Sequence, residues 1–174
     1  MHPLLDKNNI MVDLETMATH PNAAIVAIGA VRFTEEIKDT FYRVVDLQSC
    51  IQAGMDVDGD TVNWWLIQGD EARKAITEPG IELTQALTQF AKWLGEGAVV
   101  WGNGASFDNA ILANAYHKTH LDLPWQYYNN RCYRTIKNCY PNIKLSRAGT
   151  LHKALDDAKS QAMHLIEIFK NIKT

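Results

Sequence analysis

No apolar run in this 174-residue chain is long enough to cross a bilayer, and its first residues lack the basic, apolar and small-residue order of a secretory leader. The expectation is a soluble, cytoplasmic protein with no membrane partner. Cysteine is scarce. Cys50, Cys132 and Cys139 are odd in number and form no C-x-x-C pair, which argues against a disulfide framework or a zinc-finger site and predicts reduced, structural thiols. Internal repeats, low-complexity tracts and a dividing linker are all missing, so one domain over 1–174 is expected, with 1–8 as a loose tail. The net charge of −3 argues against a nonspecific cationic binder.

A more local absence points the other way. Between Leu123 and Leu155 there is no Asp or Glu, while Arg131, Arg134, Lys137, Lys144, Arg147 and Lys153 are interleaved with Trp125, Tyr127, Tyr128, Tyr133 and Tyr140. Cations among aromatics suit a nucleic-acid strand, phosphates on the first and bases on the second. A solvated basic face with its aromatics turned inward fits the same pattern.

What is present reads as an α/β chain. Residues 10–15, 23–33 and 41–46 are rich in Val, Ile and aromatics and predict three strands, the last two joined by a loop over 34–40. Helices are predicted over 61–68, 70–76 and 82–94, the last with Leu83, Leu87, Phe90 and Leu94 at helical spacing. A strand over 98–104 runs into a Gly-rich turn, and Ser106 is placed to cap a following helix that carries Ile111, Leu112 and Ala115. Residues 131–139 and 153–171 predict two more helices, the last burying Ala154, Ala158, Ala162, Leu165 and Phe169. Closely joined early strands pair antiparallel and helix-separated ones parallel, which makes a mixed central sheet flanked by helices.

Three stretches carry acids where burial should exclude them. In "NIMVDLETMA", Asp13 and Glu15 interrupt an apolar strand and project to the same face, roughly 6–7 Å apart. Without a partner one of them would stay protonated; a hard divalent cation removes the conflict. An edge strand with both acids in water is the other reading. In "WGNGASFDNA", Asp108 follows a strand and a turn, where ligands of open α/β sheets collect, although acids are also common at helix starts. In "LHKALDDAKSQA", His152 precedes a helix and Asp157 lies five residues on, one turn from Gln161. A histidine beside a carboxylate suits general-base work; taken alone it is more often a surface residue.

Together these stretches resemble the three motifs of the DEDD exonuclease superfamily, in its histidine-bearing (DEDDh) branch. Asp13-Leu14-Glu15 followed by Thr16 matches the first motif. Asn103, three residues, Phe107 and Asp108 match the second, and His152, four residues and Asp157 match the third. The tandem Trp64–Trp65 in "TVNWWLIQGDEARKAI", and "RCYRT" from Arg131, resemble a compact group of phage and bacterial 3'-5' exonucleases and exoribonucleases. The resemblance implies a ribonuclease H-like fold and a 3'-5' exonuclease. By the same resemblance it would release nucleoside monophosphates from the free 3' end of single-stranded DNA or RNA by two-metal-ion hydrolysis.

Carried over by position, Asp13, Glu15, Asp108 and Asp157 would hold two divalent cations, Mg²⁺ or Mn²⁺, and His152 would take the proton of the attacking water. Leu14, Thr16, Met17, Trp64, Trp65, Asn103, Phe107 and Arg131 would touch substrate, with one tryptophan in the core and the other in the groove. Relatives of this size are often homodimers. The alternatives are a non-catalytic nucleic-acid-binding module on the same fold, which loss of a metal acid would favour, and an enzyme that trims only short oligoribonucleotides, which a blocked groove would favour. An endonuclease is disfavoured by the His-x4-Asp spacing. His117 and His120 read as residues of a helix end, not zinc ligands.

Overall fold

The computed structural model describes residues 3–147 and 149–172. Alternation along the first acidic stretch sets its frame. Ile10, Val12 and Leu14 turn to one face of strand β1 (Asn9–Thr16) and join one apolar cluster, while Met11 turns to the other face and joins a second. β1 is the middle strand of a five-stranded sheet of order β3-β2-β1-β4-β5, with β2 (Ile25–Phe33), β3 (Ile37–Val44), β4 (Val99–Gly102) and β5 (Asn130–Cys132). The first three strands form an antiparallel meander, and β1–β4 and β4–β5 pair in parallel, because only a long crossover can return a chain in the same direction. The sheet is thus the expected mixed one.

Seven α-helices are described: α1 (Leu47–Gln52), α2 (Gly59–Leu66), α3 (Asp70–Thr77), α4 (Leu83–Leu94), α5 (Asp108–Lys118), α6 (Tyr133–Cys139) and α7 (Ala154–Asn171). Leu83, Leu87, Phe90 and Leu94 of α4 and Ile111, Leu112 and Ala115 of α5 cover the Ile10–Leu14 face. Ala158, Ala162, Leu165 and Phe169 of α7, with Tyr133 of α6, cover the Met11 face, on which Val31 and Trp101 flank Met11. Each large apolar side chain so buried contributes about 1.5–3 kcal/mol. Small residues let α7 lie close. A Cβ on Gly29 of β2 would sit 2.2 Å from the carbonyl carbon of Ala154, the first residue of α7. Gly29 is also the cross-strand partner of Asp13, so this contact brings the start of α7 to the acids of β1.

Several boundaries differ from the sequence expectation. Pro3–Asp6 forms a 3-10 turn and Leu5 is buried in the second cluster, so the expected tail is partly docked; Met1 and His2 lie outside the described residues. β3 begins at Ile37, inside the expected loop. α1 was not expected; Asp46 caps it by accepting from Gln48 N and Ser49 N. The expected helix over 131–139 is a short strand followed by α6. Ser106 is exposed and does not cap α5, which starts at Asp108 after a turn closed by Phe107 N to Gly104 O at 2.7 Å. Among the described residues no helix is long and apolar enough to cross a membrane.

Candidate active site

β1 runs past its parallel neighbour. Its pairing with β4 ends at Val12 and Gly102, so Asp13 and Glu15 lie beyond the carboxyl end of β4, on the face that Met11 marks as α7's. There α7 meets them. Asp157 stands in its first turn, and ligand atoms of Asp13, Glu15 and Asp157 all lie within 4.8 Å of one another. One turn on, Gln161 Nε2 donates to Asp13 Oδ1 at 2.6 Å.

Asp108 joins from α5. Gly102 makes the approach possible, because a Cβ there would meet Asn109 Oδ1 at 2.3 Å and Asp108 Cβ at 3.0 Å. Asp108 is 2% exposed, and its Oδ1 accepts the backbone N–H of Leu14, between the two acids of β1, at 3.2 Å. His152 lies just before α7 with a left-handed φ of 61°, an unfavourable conformation for a non-glycine residue. Its backbone N–H donates to Asp157 Oδ2 at 3.0 Å, and its ring meets the Trp64 ring edge-on, centroids 4.9 Å apart.

Burial and mutual repulsion act on the acids together. Burial pushes Glu15 up to about 8, with the charges of Asp157 and Asp108 adding to it. Burial also raises Asp108 to about 6, against the pull of backbone N–H groups and the Arg134 charge. Asp13 is held well above the usual carboxylate range, first by burial and then by Asp108, Glu15 and Asp157, while the Gln161 amide pulls the other way. Glu15 Oε1 and Asp108 Oδ2 are buried and accept no hydrogen bond. An all-oxygen donor set with unsatisfied lone pairs and crowded negative charge fits a hard divalent cation, which relieves both burdens.

The remaining expected residues divide. Leu14, Asn103 and Phe107 line the acid-bearing cavity, of about 260 Å³, with Arg134, Lys137 and Arg147. Leu14, Glu15 and Phe107 also line a second cavity, of about 500 Å³, bounded by Thr16, Trp64 and Trp65. Trp64 is 41% exposed, whereas Trp65 is buried and its Nε1 donates to Thr16 O at 3.0 Å. Met17 is buried in the first apolar cluster and lines neither cavity. Arg131 stands apart: its Nη1 donates to Tyr128 O and Asn130 O, at 2.8 and 2.9 Å, and it lines neither cavity.

The acid-free stretch splits as well. Trp125 and Tyr133 are buried, and Tyr127 and Tyr128 are exposed. Gln161 and Arg147 were not expected as site residues. The turn spacing from Asp157 was a signal for Gln161; Arg147 offered none beyond its place in the basic stretch.

Comparison with known proteins follows the same lines. An exodeoxyribonuclease of Enterobacteria phage T4 is 28% identical, the match taking in 73% of this chain and 69% of that protein. The nuclease domain of 3'hExo, a DEDDh family member bound to rAMP, superimposes with a TM-score of 0.64 at 15% identity, over 95% of this chain and 94% of its own. Pop2p of S. pombe, in a form with Mg²⁺ and Mn²⁺ bound, gives 0.63 at 17% identity, over 95% and 84%. These two share the ribonuclease H-like fold with the present chain. The family described as the 3'-5' exoribonuclease Rv2179c-like domain matches residues 8–169. With that match spanning all four acids and His152, the chain belongs to the 3'-5' exoribonuclease Rv2179c-like family and is a 3'-5' exonuclease.

Proposed function

We propose that one domain of this chain removes nucleoside 5'-monophosphates stepwise from the 3' end of single-stranded nucleic acid, with two divalent cations and His152 as general base. The observation that supports this reading most directly is the acid cluster: three carboxylates with ligand atoms within 4.8 Å, a fourth against the same backbone, and two buried oxygens without a hydrogen bond.

Asp13, Glu15 and Asp157 would hold one cation, and Asp13 with Asp108 the other. When bound, such cations polarise the scissile phosphate and neutralise the charge that develops on it. The chain's own residues do the rest. Gln161 holds Asp13 in one orientation through a single oxygen, leaving the second oxygen for a cation. The His152 imidazole takes the proton of the attacking water; its backbone bond to Asp157 and its contact with Trp64 fix where the ring can be.

The two cavities share Leu14, Glu15 and Phe107, so a terminal phosphodiester in the first would place its base in the second. There the exposed face of Trp64 is available for stacking, a contact worth about 1–3 kcal/mol. Such stacking tolerates any base. The family is described by RNA cleavage and the phage relative by DNA cleavage, so both polymers belong in the test.

Manganese titration of the protein should give two ions per chain, and mass analysis of a digest should give nucleoside 5'-monophosphates. A single ion at saturation would remove the second cation from the mechanism. Nucleoside 3'-monophosphates would remove the proposed direction of attack.

A further inference from the structure

A cation from the chain itself already sits on the acid cluster. Arg147 Nη1 lies 2.8 Å from Asp157 Oδ1, while Asp157 Oδ2 accepts the His152 backbone N–H. Both oxygens of a proposed cation ligand are therefore in use. Among the described residues no other lysine or arginine is ion-paired with Asp13, Glu15, Asp108 or Asp157.

The two partners differ in freedom. The Arg147 side chain is 56% exposed and that of Asp157 14%. A half-exposed guanidinium is weakly held by one carboxylate and exchanges partners readily. The backbone on either side of it is tied elsewhere. His164 Nε2 donates to Ile143 O at 2.8 Å, and Thr150 N donates to Asp156 Oδ2 at 3.0 Å. His164 is itself buried and bound through Nδ1 to the Tyr133 hydroxyl at 2.7 Å. The side chain of Arg147 can thus change partner while its segment stays anchored.

We infer that Arg147 serves two partners in turn: Asp157 while no divalent cation is bound, and a phosphate oxygen of the nucleic acid once a cation has taken Asp157. The inference rests on the cation site proposed above. Arg147 lines the same cavity as the four acids, and its planar fork of N–H groups matches a phosphate better than a point charge does. In the first state the guanidinium neutralises part of a repulsive cluster. In the second it adds a positive charge where the substrate's negative charge arrives. Cation and guanidinium therefore compete for Asp157, and loading of the cation releases the arginine for phosphate.

The test compares wild type, Arg147→Gln, Arg147→Lys and Asp13→Ala by calorimetry. One series titrates Mn²⁺ into protein alone; the other titrates a nucleoside 5'-monophosphate at saturating Ca²⁺. Arg147→Gln should bind Mn²⁺ about tenfold more tightly, since a competing charge is gone, and should bind the nucleotide about tenfold more weakly, since a charged hydrogen bond is gone. Arg147→Lys, which keeps charge but not the fork, should restore Mn²⁺ affinity and only part of the nucleotide affinity. An Arg147→Gln variant that binds Mn²⁺ no more tightly than wild type, or holds the nucleotide equally well, overturns the inference. A wild type that binds no Mn²⁺, or an Asp13→Ala variant that binds it as wild type does, overturns the cation site itself and the inference with it.

Discussion

Gln161 and Asp13, separated by 148 positions in sequence, are joined by a 2.6 Å hydrogen bond from the amide Nε2 to Oδ1. The bond ties the central strand to the last helix at the one place where both carry acids. Gln161→Ala would free Asp13 Oδ1 and loosen its orientation. Groups that orient a metal ligand typically matter 10–100-fold, so a loss of about that size in divalent-cation affinity or turnover is expected. Calorimetric titration with Mn²⁺, alongside steady-state rates, checks it. An unchanged affinity and rate would mean that Asp13 is positioned by its strand alone.

Gly29 supports the same junction from the other side. A methyl group there would collide with the backbone of Ala154 and Leu155, neither of which can yield without moving α7. Gly29→Ala is therefore expected to cost about 1–3 kcal/mol in denaturant unfolding, the usual range for overpacking. It should also reduce activity, because Asp157 rides on α7. A variant of full stability would show that α7 does not bear on β2 as closely as described.

The two neighbouring tryptophans should separate cleanly in mutagenesis. Trp65 is 4% exposed with its indole N–H satisfied, so Trp65→Ala should cost about 3–5 kcal/mol of stability. Trp64 faces the second cavity. Trp64→Ala should leave the fold largely intact and raise KM for an oligonucleotide by about five- to a hundredfold, the equivalent of one stacked base. If Trp64→Ala binds substrate normally, the base lies elsewhere.

Burial of the acids, reinforced at Glu15 by its charged neighbours, also makes stability depend on pH in an unusual direction. Glu15 titrates at about 8 in the folded chain against 4.5 as its ordinary value, and Asp108 at about 6 against 3.8. Between those values the folded chain holds more protons than the unfolded one, so stability falls as pH rises. The contribution of these two groups is complete below their unfolded values and is lost as pH passes about 6 and then about 8. With chelator present, the thermal midpoint should decline over that window. A divalent cation displaces those protons, so the rise it causes in the midpoint should be larger at pH 8.5 than at pH 6. An equal rise at both would contradict the assignment of these acids to a cation site.

Much of this site was legible in the sequence because acids in an apolar strand are conspicuous. Asp13 breaks the run Ile10–Leu14 and Glu15 ends it, and Asp108, His152 and Asp157 stand at the spacings of two further motifs. Long periodic elements were equally plain: α4 and α7 lie within a residue of the expected bounds. Short elements were not. β5 has three residues, too few for alternation to show, and α1 has six with one buried side chain. Arg131 was expected on the substrate; its Nη1 donates to two backbone carbonyls outside both cavities, while Arg147, from the same basic stretch, reaches the acids. Nothing in a run of evenly spread cations distinguishes the one that folds back onto a carboxylate ten positions further along the chain.

The most direct test of the account uses single-stranded DNA and RNA oligonucleotides labelled at the 5' end. They are incubated with wild type and with Asp13→Ala and His152→Ala variants, in Mg²⁺ or Mn²⁺ and in chelator. The account predicts a ladder that shortens one nucleotide at a time from the 3' end, only with wild type and only with a divalent cation, the faster polymer identifying the substrate. Cleavage that persists in chelator or in Asp13→Ala, or labelled products that appear as internal fragments without a ladder, would contradict it.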